Sequence, residues 1–333
     1  MRITKANIGN IPLDEFVTAV AGIYKTQDEK RLIWDVWLHA VNHAAAIGEE
    51  ARKYKPGKKL LEDIADFSMW LFTFVGKIRD AFGSVAGRQR IEESTIRTEV
   101  TLSAIIWNKY PWVCPVCFGR RINDGEATDI QLIRPCDCLL YPVETRDPKQ
   151  VRGYINKLRQ YAKDHIDDMP KSVNEWQQLF QNIYEANLRH LSLTDIAFHL
   201  LEEVGEVSNA MLRMYTYDSE EFVAGEPEWR QKGLENEIAD VSSWLFTLVN
   251  HLEVIPEIGR EFQKFLWGED VVALPPIKLS SIIWKRYGSD SLDSLYCPHK
   301  CKKPVCECPI WLVRDKRTLA KIRDSFAPSS SKA

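Results

Sequence analysis

The chain has 333 residues, 45% of them hydrophobic and 27% charged, which suits about two folded domains and excludes an intrinsically disordered protein. Its formal net charge of −3 supplies no global attraction to nucleic acid or to an anionic membrane. No stretch approaches the roughly 20 apolar residues of a spanning helix, and the opening MRITKANIGNIPLDEF has no apolar leader core, so a cytoplasmic protein without a membrane partner is expected.

In chain order, a helical pattern begins near Asp14-Glu15-Phe16 and carries Ile23-Tyr24. A second includes Asp35 through His39. A third reads LLEDIADFSMWLFTFV, with Phe67, Trp70, Leu71, Phe74 and Val75 along one stripe, and a fourth reads LSAIIWNKY. Cys114, Cys117, Cys136 and Cys138 follow. The polar stretch Asp164 to Val173, with Met169-Pro170 inside it, marks a boundary. Beyond it the series recurs. Asn174-Glu175-Trp176 answers Asp14-Glu15-Phe16, Ile183-Tyr184 answers Ile23-Tyr24, and Asp195 through His199 answers Asp35 through His39. LENEIADVSSWLFTLV and LSSIIWKRY then answer the third and fourth patterns, after a longer connection, MYTYDSEEFVAGEPEWRQKG. Cys297, Cys301, Cys306 and Cys308 close the series, and the final PSSSKA reads as a frayed tail. The chain is therefore one unit written twice, over 1–163 and 171–333. Each copy holds about four helices, a cysteine knuckle (114–138 and 297–308) and a closing helix. With glycine thin and β-branched alternation nearly absent, the fold class is mainly α.

All eight cysteines fall in these two clusters, paired by short turns. Four thiolates at such spacing fit a closed tetrahedral Zn²⁺ site, which leaves no open position for catalysis and so is structural. The C-x-C halves depart from the commoner C-x-x-C, and an iron–sulfur cluster or a metal-free set are the alternatives. His299 lies within the second knuckle as a bystander. Arg120, Arg121, Arg134, Lys300, Lys302 and Lys303 give the knuckles only weak basic character, so nucleic acid is not the expected partner.

Two carboxylate pairs carry the chemistry. Glu203 and Glu206 in LLEEVGEV are three residues apart, as are Glu237 and Asp240 in LENEIAD, so each pair shares a helix face. Glu237 falls roughly 60° from the centre of its apolar stripe at about 100° per residue. Four acids aimed at one helix seam cost several kcal/mol unless protonated or neutralised by a cation. Hard oxygen ligands suit Mg²⁺ or Mn²⁺. In the first copy the matching positions are His43, Ala46, Asp63 and Asp66, so half of the box is missing; a lone His43 is expected to be a packing or surface histidine.

The order E-x-x-E then E-x-x-D, and the strings EEVGE and EIAD, resemble the MazG-type all-α nucleoside triphosphate pyrophosphohydrolases. The resemblance implies two tandem MazG-like helical bundles, each followed by a Cys₄ zinc knuckle, the first copy being degenerate. It implies Mg²⁺-dependent cleavage of a nucleoside triphosphate to the monophosphate and pyrophosphate in the second copy only. Glu203, Glu206, Glu237 and Asp240 would be metal ligands. Glu202, beside Glu206 around the helix, would bind a second metal or deprotonate water; Lys285 and Arg286 would clamp phosphate or else be solvated, and His199 would contact phosphate or, the favoured role, cap or pack its helix. Trp176 and Trp229 are candidates for stacking on the base. The two copies are expected to pair as an internal pseudo-dimer, with a homo-oligomer also open. The competing expectation is a non-enzymatic nucleotide sensor or adaptor acting through its knuckles.

Overall fold

The computed structural model describes residues 2–86, 101–118, 135, 136, 138, 157–215, 227–268, 273–299 and 301–308. Within them the chain is mainly helical. The first copy contributes α1 (Leu13–Asp28), α2 (Ile33–Ala51), α3 (Lys58–Ala86) and α4 (Leu102–Lys109). The second contributes α5 (Val173–Leu188), α6 (Leu193–Tyr215), α7 (Pro227–His251), α8 (Pro256–Trp267) and α9 (Leu279–Tyr287). A hairpin of two residues per strand, β1 (Gly288–Ser289) and β2 (Ser294–Leu295), leads into the second knuckle. The helix α7 begins before the apolar pattern that started at Leu234, so Trp229 belongs to a helix rather than to the connection, its side chain outside the described residues.

Local chemistry fixes several of these helix ends. Ser172 accepts from the Glu175 backbone N–H at 3.3 Å while Glu175 accepts from Ser172 N at 3.0 Å, a reciprocal cap that starts α5. Those backbone donors hold the Glu175 carboxyl below its ordinary range. Ser192 and Asp195 repeat the device at α6. Thr101 caps α4 through Ala104 N, and Pro256 opens α8, which stops at Gly268 with φ of 100°.

The starts of the two copies run antiparallel. Leu13 N donates to Lys171 O at 2.8 Å, and Asn174 N to Gly9 O at 3.3 Å. A Cβ on Gly9 would stand 2.2 Å from Asn174 Nδ2, so a larger residue there would require the Asn174 side chain to turn away. One continuous set of buried side chains then joins both copies, with Trp37, Trp107 and Trp176 among the largest. Each fully buried Val, Leu, Ile, Phe or Met in that set contributes about 1.5–3 kcal/mol of transfer free energy.

The packing is an exchange. Within each copy α2 lies on α3 and α6 on α7, and α2 meets α6 across the middle, where Trp37 Nε1 donates to Ser208 Oγ at 2.8 Å. The short fourth helices cross over: α4 packs on α7 and α9 on α3. The knuckles cross too. Cys136 N donates to Ile183 O in α5, and Cys306 N donates to Ile23 O in α1, both at 2.6 Å. Each knuckle thus reaches the first helix of the other copy. Among the described residues no helix is long and apolar enough to cross a membrane.

Candidate functional site

The pattern that made α6 and α7 amphipathic also brings their acids together. Val204 and Val207 on α6, and Ile238 and Val241 on α7, are fully buried and hold the helices in contact. Glu203, Glu206 and Glu237 stand beside that seam, each offering an oxygen within 4.8 Å of the others. Burial first, then repulsion from Asp240 and Glu206, pushes the Glu203 carboxyl up to about 8. Burial, with Asp240 and Glu206 adding to it and Lys109 opposing, pushes Glu237 up to about 7. Crowded, partly buried carboxyls with raised pKa values mark a candidate functional site, and their three oxygens could hold a metal ion.

Asp240 is placed differently from the other three. Lys109 Nζ and the Tyr110 hydroxyl, both from the first copy, donate to its two oxygens, and Lys109 also donates to Asn236 O at 3.4 Å. The fourth acid thus anchors a lysine beside the other three. Lys109 in turn pulls against the upward shifts of Glu203 and Glu237.

The first copy repeats the arrangement with other chemistry. His43, Asp63 and Asp66 bring ligand atoms within 4.8 Å of one another. Asp63 is fully buried and accepts from Lys59 Nζ at 2.6 Å, with His43 Nδ1 at 3.2 Å. Burial pushes the Asp63 carboxyl up, but the bonds to His43 and Lys59 outweigh it and hold it below its ordinary range. Asp66 accepts from Arg286 Nε at 3.1 Å, Arg286 Nη2 at 3.0 Å and the Tyr287 hydroxyl at 2.6 Å. Where the second copy crowds acids, the first supplies side-chain cations. His43, expected to be a packing or surface residue, is a partner of Asp63.

The remaining predicted contacts scatter. Arg286 grips Asp66 of the first copy, not the three glutamates of its own, and Lys285 Nζ stands 5.0 Å from the Phe265 ring centre. His199 stacks on Trp244 at 4.5 Å, with Nδ1 3.3 Å from a Glu202 oxygen. The Glu202 side chain is 64% exposed, turned outward from the seam. Trp176 is fully buried against the edge of Trp107, which removes it as a platform for a base.

Both cysteine sets gather four sulfurs within 4.8 Å, and each can hold a zinc ion. The Cys114–Cys138 and Cys117–Cys136 separations are 3.6 Å and Cys297–Cys308 is 3.9 Å, while Cys117–Cys138 is shorter, at 3.0 Å. A tetrahedron with Zn–S of about 2.3 Å needs sulfurs about 3.8 Å apart.

Lys109, Tyr110, Tyr287 and Lys59 are the site residues that sequence reasoning missed. Their signal was present for the first two, because LSAIIWNKY aligns Lys109-Tyr110 with Arg286-Tyr287. No family model, curated protein or solved structure matches the chain.

Proposed function

We propose that the chain is a divalent-cation-dependent nucleoside triphosphate pyrophosphohydrolase working through the second copy. The observation that carries this reading is the convergence of Glu203, Glu206 and Glu237 from two packed helices, with two of the carboxyls strongly raised. Three hard oxygens fit Mg²⁺ or Mn²⁺. Bound there, such a cation would neutralise phosphate charge and lower the pKa of a water. Lys109, fixed by Asp240, is set to contact a phosphate oxygen at the edge of the site. The resemblance of EEVGE and EIAD to MazG-type enzymes supplies the reaction class. On this reading the two copies form an internal pseudo-dimer, each giving its fourth helix to the other. The two Cys₄ sets would be structural zinc knuckles, which clamp that exchange.

The test is pyrophosphate release from a panel of nucleoside triphosphates with Mg²⁺. Turnover that depends on Mg²⁺ and disappears in Glu203→Gln supports the proposal. No release from any nucleotide would turn the reading toward a nucleotide sensor or adaptor. That alternative has its own support in the first copy, where Lys59 and Arg286 already neutralise the acids and no cation is called for.

A further inference from the structure

The crossing of α9 onto α3 opens a cleft of about 170 Å³ between α3, α8, α9 and the turn of the second knuckle. Glu62, Phe265, Lys285, Arg286, Tyr296 and Lys302 line it. Arg286 is fixed there, because Asp66 holds its Nε and Nη2, and the rest of its five donors remain for another partner. Lys285 Nζ stands 5.0 Å from the Phe265 ring centre and Lys302 Nζ 5.9 Å from that of Tyr296. Aromatic faces hold ammonium groups in place without cancelling their charge. Lys302 also sits at φ 52°, a left-handed backbone that non-glycine residues adopt at a cost, and such strain collects at functional positions.

Three cations, Lys285, Arg286 and Lys302, line the cleft with one carboxylate, Glu62, while Asp66 lies behind Arg286.

We propose that this cleft is a metal-independent anion site for a ligand presenting one or two phosphate groups. Its volume accepts a phosphate or diphosphate and leaves any larger part of the ligand outside, since whole small-molecule pockets run to about 300 Å³ or more. Leu61, Leu266 and Ile282 give its wall an apolar side. Pro298, inside the second knuckle, also lines it, so an occupant would tie that knuckle to α3 of the first copy. Where the second copy requires a divalent ion to meet a phosphate, this one meets it with side chains.

The experiment is a calorimetric titration of the zinc-replete full-length chain with inorganic pyrophosphate and no added Mg²⁺. The expected result is saturable binding that weakens at least tenfold in Lys285→Ala/Lys302→Ala and is unchanged in Glu203→Gln. Titration with a nucleoside monophosphate separates free pyrophosphate from a nucleotide phosphate as the natural source; binding of either fits the proposal. No saturable heat with either, binding unchanged in the double variant, or binding lost in Glu203→Gln would each overturn it. Circular dichroism of the double variant guards against misfolding, and Lys302→Glu in the otherwise intact chain gives a second variant with the same expected loss. Hydrolysis needs a divalent ion and the second-copy acids, so failure here leaves the proposed activity untouched, and the reverse holds.

Discussion

Arg286, on the last helix of the second copy, grips Asp66 of the first with both Nε and Nη2, at 3.1 and 3.0 Å. Lys109 of the first copy binds Asp240 of the second at the equivalent place, and Tyr287 and Tyr110 complete the two latches. Neither copy is electrostatically complete without the other.

The latch predicts a stability effect. The Asp66 side chain is 5% exposed and that of Arg286 32%. Removing one partner of a buried pair strands the other charge, at about 3–5 kcal/mol, and partial exposure puts this pair near or below the lower figure. Arg286→Ala should therefore cost about 2–3 kcal/mol in urea unfolding, and Asp66→Asn with Arg286→Ala together should cost less than the sum of the single changes. Additive costs would show that the pair does not act as a unit.

The raised carboxyls predict a pH dependence. Glu203 at about 8 and Glu237 at about 7 are protonated in the folded chain at pH values where the unfolded chain has lost the protons. Between roughly pH 4.5 and 8 the folded state binds more protons, so without metal its stability falls as pH rises through that window. If Mg²⁺ binds here as proposed it competes with those protons, so the rise in melting temperature on adding Mg²⁺ should be larger at pH 8 than at pH 6 and should vanish in Glu203→Gln/Glu237→Gln. A Mg²⁺ response independent of pH would remove the metal from this cluster.

The knuckles predict a stoichiometry. Eight thiolates in two tetrahedral sets should give about two zinc per chain by elemental analysis. Chelation should loosen α5 and α1, whose Ile183 and Ile23 carbonyls accept from Cys136 and Cys306, and hydrogen exchange should rise there first. An iron–sulfur absorption band, or no metal, would refute the zinc assignment.

Much of this was legible in the sequence because local chemistry and periodicity set it. The helical stripes of α6 and α7, the repeat and the two Cys₄ sets all depend on spacing along the chain. The exchange of α4 and α9 was not legible. It depends on which copy each short helix prefers, and LSAIIWNKY and LSSIIWKRY are too alike for their sequences to name the partner. For the same reason the sequence places Arg286 with its own copy and Asp240 with the glutamates, although Lys109 and Tyr110 occupy Asp240. His43 needed the third dimension, since only the packing of α2 on α3 brings it to Asp63.

The exchange also predicts what half of the chain does alone. A fragment of residues 171–333 keeps α9 and the second knuckle but loses α3 and α1, on which they rest, and leaves Asp240 without Lys109 and Tyr110. The exposed apolar faces of α7 and α9 cannot both be covered within one copy, but two fragments can cover them by the same crossing. Arg286 of each would then take the place of Lys109 on Asp240 of the other, because the two positions align. Light scattering should give a dimer, with aggregation if the crossing fails, and Arg286→Glu should break the dimer. The dimer should hydrolyse nucleotide with altered turnover, having an arginine where the native site has a lysine. A soluble monomeric fragment with full turnover would show that the first copy is neither scaffold nor part of the site.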